Sequence, residues 1–160
     1  MVADSGPIIS LAVIDRLDVL LALFSSVNVP VAVWEEVTQD TGSAYHHRIH
    51  GFFRERVHHV QGFNELTFIM DAGESEAVML CKELNADFLL IDDRKARRIA
   101  ESLGIDCVGT LGVLSEARAR GIISELRPLF TEFLSHGRYY GVPLLNDILA
   151  HHGEAPIASF

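Results

Sequence analysis

Residues 88–100 read FLLIDDRKARRIA, which is an apolar strand, then two consecutive acids, then the start of a helical pattern. Similar β-rich apolar runs recur along the chain, as MVA at 1–3, VNV at 27–29 and IDCV at 105–108. Between them, apolar residues spaced by three and four predict helices at 17–24, 30–40, 73–84, 94–103, 111–120 and 124–134. Strands and helices that alternate in this way indicate βαβ units, and therefore a parallel sheet.

The predicted fold class is α/β, with a central, mostly parallel sheet that is flanked by helices on both faces. The chain has 160 residues, which fits a single domain at 1–140 followed by a tail or short helix at 141–160. In an open sheet of this class, ligands bind outside the carboxyl ends of the strands. We therefore expect the functional residues where the strands end.

The composition argues against several classes of protein. Hydrophobic residues make up 49% of the chain and charged residues 22%, and no apolar run reaches the roughly 18 residues of a membrane span. No basic and apolar leader precedes the first strand, so we expect a cytoplasmic protein. Cys81 and Cys107 lie among apolar neighbours, which favours free buried thiols over a disulfide. Because the net charge is -9, any contact with RNA must be local.

Two early positions offer carboxylates, and each has a second interpretation. Asp4 ends the first strand, but it could equally cap a helix that has Pro7 in its first turn. On the helix VWEEV, Glu36 lies at the edge of the apolar face, whereas Glu35 points to solvent. For both glutamates an ordinary surface charge is the alternative.

Two later positions offer further carboxylates. In MDAGESEAV, Asp71 and Glu74 fit an acidic capping box, yet Glu74 also falls on the buried stripe of that helix, while Glu76 points away. After FLLI, one of Asp92 and Asp93 can cap the next helix, and capping does not require the other. A carboxylate held at a buried position needs a partner.

These four acidic positions indicate a common site if the fold brings them together. Three or four carboxylates in one place repel one another, and their pKa values rise unless a cation neutralises them. Hard oxygen ligands of this kind favour Mg²⁺ or Mn²⁺.

The chain resembles the PIN-domain family, and in particular its compact prokaryotic toxin-type (VapC-like) ribonucleases. The resemblance covers nearly the whole chain and is carried, in order, by VADSGPIISLA, VWEEV, DAGESEAVMLC, LLIDDRKARRIA and GTLGVLSEARARG. It implies a single PIN-like domain whose acids hold the catalytic metal, namely Asp4, Glu36, Glu74, Asp92 and the neighbouring Asp93. Ser5 and Thr110 match supporting polar residues, and Glu74 departs from the Asp that many relatives carry.

By the same resemblance, the activity is hydrolysis of RNA phosphodiesters by a water that Mg²⁺ or Mn²⁺ activates. Basic residues follow the acids and either meet the RNA backbone or are ordinary solvated charges, namely Arg94, Lys95, Arg97 and Arg98. The resemblance also implies a homodimer, with a small antitoxin protein as a further partner if the natural role is that of a toxin.

Other functions fit the sequence less well. His46 and His50 are four residues apart, but no CxxC or HExxH pattern accompanies them, so the His- and Arg-rich stretch at 46–59 is expected to be a mobile polar surface rather than a zinc site. A phosphotransfer domain would place a second acid next to Asp4 and a Lys after a late strand, and neither is present. A catalytically silent module that binds RNA or a partner protein is the remaining alternative.

Overall fold

The computed structural model describes residues 1–138 and 140–158, and the fold is α/β, as the sequence predicts. The strands are β1 (Val2–Ala3), β2 (Val29–Pro30), β3 (Val57–His58), β4 (Leu89–Leu90) and β5 (Cys107–Val108). The helices are α1 (Ser5–Val13), α2 (Asp18–Leu23), α3 (Val31–Thr38), α4 (His46–Phe53), α5 (Ala72–Glu83), α6 (Arg94–Ser102), α7 (Thr110–Ala119), α8 (Arg127–Ser135) and α9 (Val142–His151), with a short 3₁₀ helix at Glu65–Phe68. Every helix that the apolar spacing predicts is present.

All strand pairs are parallel, and β1 lies at the centre. Val2 of β1 pairs with Leu89 of β4, and β4 in turn pairs with β5. On the other side of β1, a parallel bridge from Val2 to Asn28 brings in β2, which pairs with β3. The chain thus builds outward through β2 and β3 and then crosses over to β4 and β5. In open α/β sheets such a crossing point is where ligands bind, and here it lies between β1 and β4.

Helices cover the central strands. Val2 and Leu89 belong to one buried apolar cluster with small and medium side chains of α5 and α6, namely Ala77, Val78, Cys81, Ala96 and Ala100. Strands enclosed in this way carry no polar residue, which explains why the run FLLI is apolar throughout. Cys81 and Cys107 are free thiols, as expected.

The His- and Arg-rich stretch at 46–59 differs from expectation. It was predicted to be a mobile polar surface, but it forms α4 and then β3. The reason is that Ile49 and Phe53, four residues apart, are fully buried and anchor α4. Their two apolar positions are hard to detect because nine of the residues in this stretch are polar or charged.

The described chain divides into two compact units, residues 1–110 and the residues from Leu111 onward. The second unit has its own core of fully buried side chains, which include Leu114, Phe130, Phe133, Leu145 and Leu149. Helix α9 occupies part of the stretch predicted as a tail or short helix, of which Ser159 and Phe160 lie outside the described residues. Every helix in the described part of the chain is too short or too polar to cross a lipid bilayer.

Within the second unit, Glu154 caps α8 from a distant part of the chain. Its carboxylate accepts hydrogen bonds from the backbone N–H groups of Leu126 at 2.9 Å and Arg127 at 2.8 Å, and from Arg118 Nε at 2.9 Å. Burial alone would raise the pKa of Glu154, but the hydrogen bonds from Leu126, Arg127 and Arg118 outweigh it and lower the pKa. The carboxylate thus satisfies N–H groups that a helix start leaves without partners.

We predict that Glu154→Gln destabilises the protein by about 1–3 kcal/mol near neutral pH, because the amide presents a donor to N–H groups that need an acceptor. A carboxyl whose pKa is lowered by folding stabilises only while it is ionised. The difference in unfolding free energy between the variant and wild type should therefore reach its full size above pH 4.5, the ordinary glutamate pKa. It should vanish as the pH falls through the lower pKa that Glu154 has in the folded protein. Urea unfolding across this pH range measures it. Glu125→Gln, an exposed acid of the same unit, is the control, and equal stability of the two variants would contradict the prediction.

Candidate active site at the carboxyl ends of β1 and β4

Asp4 sits at the end of β1, directly beside β4. Its backbone N–H donates to the Leu90 carbonyl at 2.9 Å, which extends the pairing of the two strands by one residue. Asp4 is also the residue that precedes α1, with an extended backbone, but its side chain makes no capping hydrogen bond to that helix. Since the residue is only 6% exposed, the carboxyl is held inside the protein without the capping role that its position suggests.

The environment of Asp4 disfavours its charge. Burial is the main reason that the pKa of this carboxyl is raised to about 7, and the carboxylates of Glu74, Asp71 and Glu36 contribute to the same value, in that order of strength. A hydrogen bond from the Ser5 backbone acts in the opposite direction and lowers the pKa. These four acids therefore share one electrostatic environment, although they come from β1, α3 and the start of α5. Strongly raised carboxyl pKa values in a cleft are typical of functional sites.

Asp92 and Asp93, which follow β4, divide their tasks. Asp93 caps α6, since its Oδ1 accepts from the Ala96 N–H at 2.8 Å. Asp92 instead accepts from Thr110, with 2.8 Å between Thr110 N and Oδ1 and 2.7 Å between Thr110 Oγ1 and Oδ2. Thr110 is fully buried, so it holds the Asp92 carboxylate in a fixed orientation.

Glu74 and Asp71 form the start of α5. Asp71 Oδ1 accepts from the Glu74 N–H at 2.7 Å, which is the capping hydrogen bond that the sequence predicts. Burial raises the pKa of the half-buried Glu74 carboxyl, and the Asp71 charge raises it further, while a hydrogen bond from the Asp71 backbone and the positive charge of Lys95 lower it. Asp93 also contributes to the raised pKa of Glu74, which links the start of α5 to the end of β4.

Glu36 reaches the same region from α3. Its Oε2 lies 3.1 Å from the position that a Cβ would occupy at Gly73, so the absence of a side chain at Gly73 makes room for this carboxylate. An open cleft of about 670 Å³ runs along this contact, and its walls include Glu35, Glu36 and Asp71. Both glutamates of the WEEV segment thus border the cleft, but Glu36 is the one directed at α5.

Two acids of this region have positions that the sequence analysis did not foresee. Asp71 was interpreted only as a helix cap, yet its charge acts on both Asp4 and Glu74. Glu76 was expected to point away, but its Oε2 accepts from the Ala32 N–H at 3.0 Å and so caps the start of α3. A helical wheel of α5 describes the face toward the sheet, and it contains no information on the second helix, α3, that packs beside it.

The donor set fits a hard divalent cation. Within residues 1–138 and 140–158, no three His, Cys, Asp or Glu side chains are already placed to hold a metal ion. The acids around Asp4 are nevertheless all oxygen donors, and their mutual repulsion is the condition that a bound cation would relieve. The composition of the site is therefore compatible with Mg²⁺ or Mn²⁺ and offers no soft ligand for zinc.

Cationic side chains border the acids on α6. Arg94, Lys95 and Arg98 are exposed. Arg97 is instead engaged within the fold, since it donates to Glu101 at 2.9 Å and to the Cys107 carbonyl at 2.9 Å. Of the four basic residues noted in the sequence, Arg97 therefore has a structural role, and the other three are accessible to a ligand.

Comparison with known proteins identifies the family of the chain. A family model described as a PIN domain matches residues 1–154, which is nearly the whole chain. No curated protein and no solved structure matches the chain. PIN domains are generally nucleases and typically bind divalent metals. With its parallel sheet, and with acids gathered where β1 and β4 end, this chain belongs to the PIN-domain family.

Proposed function

We propose that the protein is an Mg²⁺- or Mn²⁺-dependent endoribonuclease that hydrolyses RNA phosphodiesters. The observation that carries the proposal is the buried Asp4 carboxyl, whose pKa is raised to about 7 beside the carboxylates of Glu74, Asp71 and Glu36. A protein retains such a destabilising cluster when it serves a function, and a divalent cation is the partner that removes the repulsion. The fold alone would not support this, since related folds host many functions.

We assign the metal to Asp4, Glu36, Glu74 and Asp92. Asp92 is oriented by two hydrogen bonds from Thr110, and Glu74 is positioned by the cap at the start of α5. Asp93 already caps α6 through one oxygen, so we assign it a secondary role beside Asp92. Asp71 is a further acid, and its negative charge contributes to the raised pKa of Asp4.

The metal, when bound, would supply an activated water and polarise the scissile phosphoryl group. The residues of the chain do the rest. The carboxylates fix where the ion sits, and Thr110 keeps the Asp92 carboxylate from rotating. Arg94, Lys95 and Arg98 attract the RNA backbone locally, which offsets the repulsion that a chain of net charge -9 exerts on phosphates. If the natural role of this activity is that of a toxin, a small antitoxin protein is a further partner. If the protein is an RNA-processing enzyme, no antitoxin is needed.

The catalytic assignment predicts that Asp4→Asn and Asp92→Asn each lower RNA cleavage at least 100-fold while the protein stays folded. Asn keeps the shape of Asp and caps helices nearly as well, so a purely capping role forecasts normal activity. Asp4→Asn should not lower the melting temperature of the metal-free protein, since it removes a buried charge.

Asp106→Asn is the matched control for these variants, because it changes an exposed aspartate outside the acids to which the metal is assigned. It should retain most of the activity. Full activity in both Asp4→Asn and Asp92→Asn would overturn the assignment. If the wild-type protein cleaves no RNA in Mn²⁺, in Mg²⁺ or in chelator, the alternative function, a catalytically silent module that binds RNA or a partner protein, is favoured.

Metal binding is predicted to stabilise the protein, and more so above pH 7 than in mild acid. The folded pKa of Asp4, about 7, exceeds its ordinary value of 3.8, so ionisation of Asp4 destabilises the metal-free fold as the pH rises, and protonation relieves this below about pH 7. Metal binding needs ionised ligands. At a hundredfold excess over Kd, Mn²⁺ should raise the melting temperature by about 5–10 °C near pH 8, and by less near pH 5.5.

Melting curves of wild type and Glu74→Gln at both pH values, with Mn²⁺ or with chelator, measure this effect. The variant should show a clearly smaller shift with Mn²⁺, whereas Glu65→Gln, an exposed acid outside the cluster, should behave as wild type. Identical shifts in all three proteins would place the metal elsewhere.

We further propose that the protein is a homodimer in solution. Light scattering over a wide range of concentrations is expected to give twice the chain mass of 17.7 kDa. A mass of one chain at every concentration would remove this proposal without affecting the nuclease assignment.

A further inference from the structure

Three aromatic rings lie next to one another across α3 and α4. The Trp34 ring lies 5.3 Å from the His50 ring, centroid to centroid, and the His50 ring lies 6.1 Å from the His46 ring. The interplanar angles are 47° and 32°, so the rings are tilted against one another. His46 and His50 share a face because they are four residues apart on α4.

Packing beneath the two helices holds this row in place. Ile49 and Phe53 of α4 are fully buried, as is Val33 of α3, so the helices are fixed from inside. On the outside, His50 is exposed, and Trp34 and His46 are half-buried. The row thus presents ring edges and faces to solvent on a rigid base, which a flexible surface loop would not do.

The α4 side of the row is locally basic, whereas on α3 the exposed Glu35 follows Trp34 directly. Helix α4 contains no acid, and the stretch at 46–59 holds Arg48, Arg54 and Arg56 against the single acid Glu55, in a chain of net charge -9. Arg48 is engaged within the fold, since it pairs with Asp15 at 3.2 Å and donates to the Ala12 carbonyl at 2.9 Å. Arg54 follows His50 by one turn, and its side chain is 60% exposed and lies 3.8 Å from Glu55. Arg54 is therefore an exposed cation that an anionic ligand on the row can reach.

The face also lies next to the carboxylate cluster. Trp34 and Glu36 are two residues apart on α3 and point to opposite sides of that helix, Trp34 toward α4 and Glu36 toward α5. A helix is about 10–12 Å across with its side chains, which corresponds to roughly three stacked nucleotides of a single strand. A strand that crosses α3 can contact both the rings and the acids.

We propose that Trp34, His50 and His46 form a stacking platform for unpaired bases of single-stranded RNA, a few nucleotides from the bond that is cut. This inference rests on the proposed nuclease function and adds that the RNA substrate is single-stranded where it contacts the rings. Aromatic and histidine rings stack on bases of any sequence, and nearby guanidinium groups attract the backbone. Bases in a duplex are already stacked on one another and are not offered to such rings.

Two other occupants of this face fit the observations less well. A protein partner would need apolar anchors, yet within the described residues the exposed large apolar side chains lie outside α3 and α4. A zinc ion would need a further ligand beside His46 and His50, and the described chain offers no such group of three.

Trp34 is the only tryptophan in the chain, so its fluorescence reports directly on the platform. Titration with a single-stranded RNA of about twelve nucleotides, in chelator to prevent cleavage, should quench this fluorescence to saturation. A duplex of the same sequence should bind at least several-fold more weakly. His50→Ala should weaken binding of the single strand roughly tenfold, while His50→Phe, which keeps a ring but loses the imidazole, should stay within a few-fold of wild type.

His59→Ala is the matched control, an exposed histidine of the same stretch outside the ring row, and should bind as wild type. Circular dichroism melting checks that each variant is folded. Unchanged binding by folded His50→Ala, equal binding of duplex and single strand, or equal losses in His50→Phe and His50→Ala would each overturn the platform. Cleavage with Mn²⁺ is measured in a separate assay. If His50→Ala cleaves RNA and binds the single strand as wild type does, only the platform is rejected. If RNA quenches the Trp34 fluorescence of wild type but wild type does not cleave it, only the nuclease function is rejected.

Discussion

The pairing of β1 with β4 is the constraint on which the site depends. The hydrogen bond from the Asp4 N–H to the Leu90 carbonyl, 2.9 Å long, continues that pairing past the end of the two-residue strands. Because the strands are parallel and the chain crosses over between them, both ends open at the same edge of the sheet. Asp4 and Asp92, 88 residues apart in sequence, are brought to one edge by this single register.

Neighbouring acids in this protein separate structural and functional tasks. Asp93 caps α6, which leaves Asp92 to be oriented by Thr110. At the start of α5, Asp71 provides the cap, while Glu74 lies half-buried toward the other carboxylates. Asp92 accepts from Thr110, the first residue of α7, with both oxygens, and an ionised carboxylate has further lone pairs that an ion could use. The cost of the arrangement appears at Asp4, where burial and neighbouring charges raise the pKa to about 7.

The proposed action on RNA requires that this acidic chain attract phosphates locally. The net charge of -9 repels phosphates at a distance, so attraction has to come from nearby groups. Exposed cations on α6 follow the acids Asp92 and Asp93, and the histidine rings of α4 and the following Arg54 lie on the other side of α3. Stacking contributes affinity that does not depend on net charge, which makes aromatic rings well suited to such a protein.

The sequence by itself determined the α/β class and the six helices that apolar spacing predicts, because hydrophobic periodicity is a local pattern, and the resemblance of its motifs indicated the PIN-domain family. It also predicted the cap at Asp71. Tertiary structure alone decided that Asp92 rather than Asp93 faces Thr110, that Glu76 caps α3, and that α4 is ordered by Ile49 and Phe53. Each of these depends on a partner many residues away, and the spacing of residues along one element carries no information on which distant element packs against it.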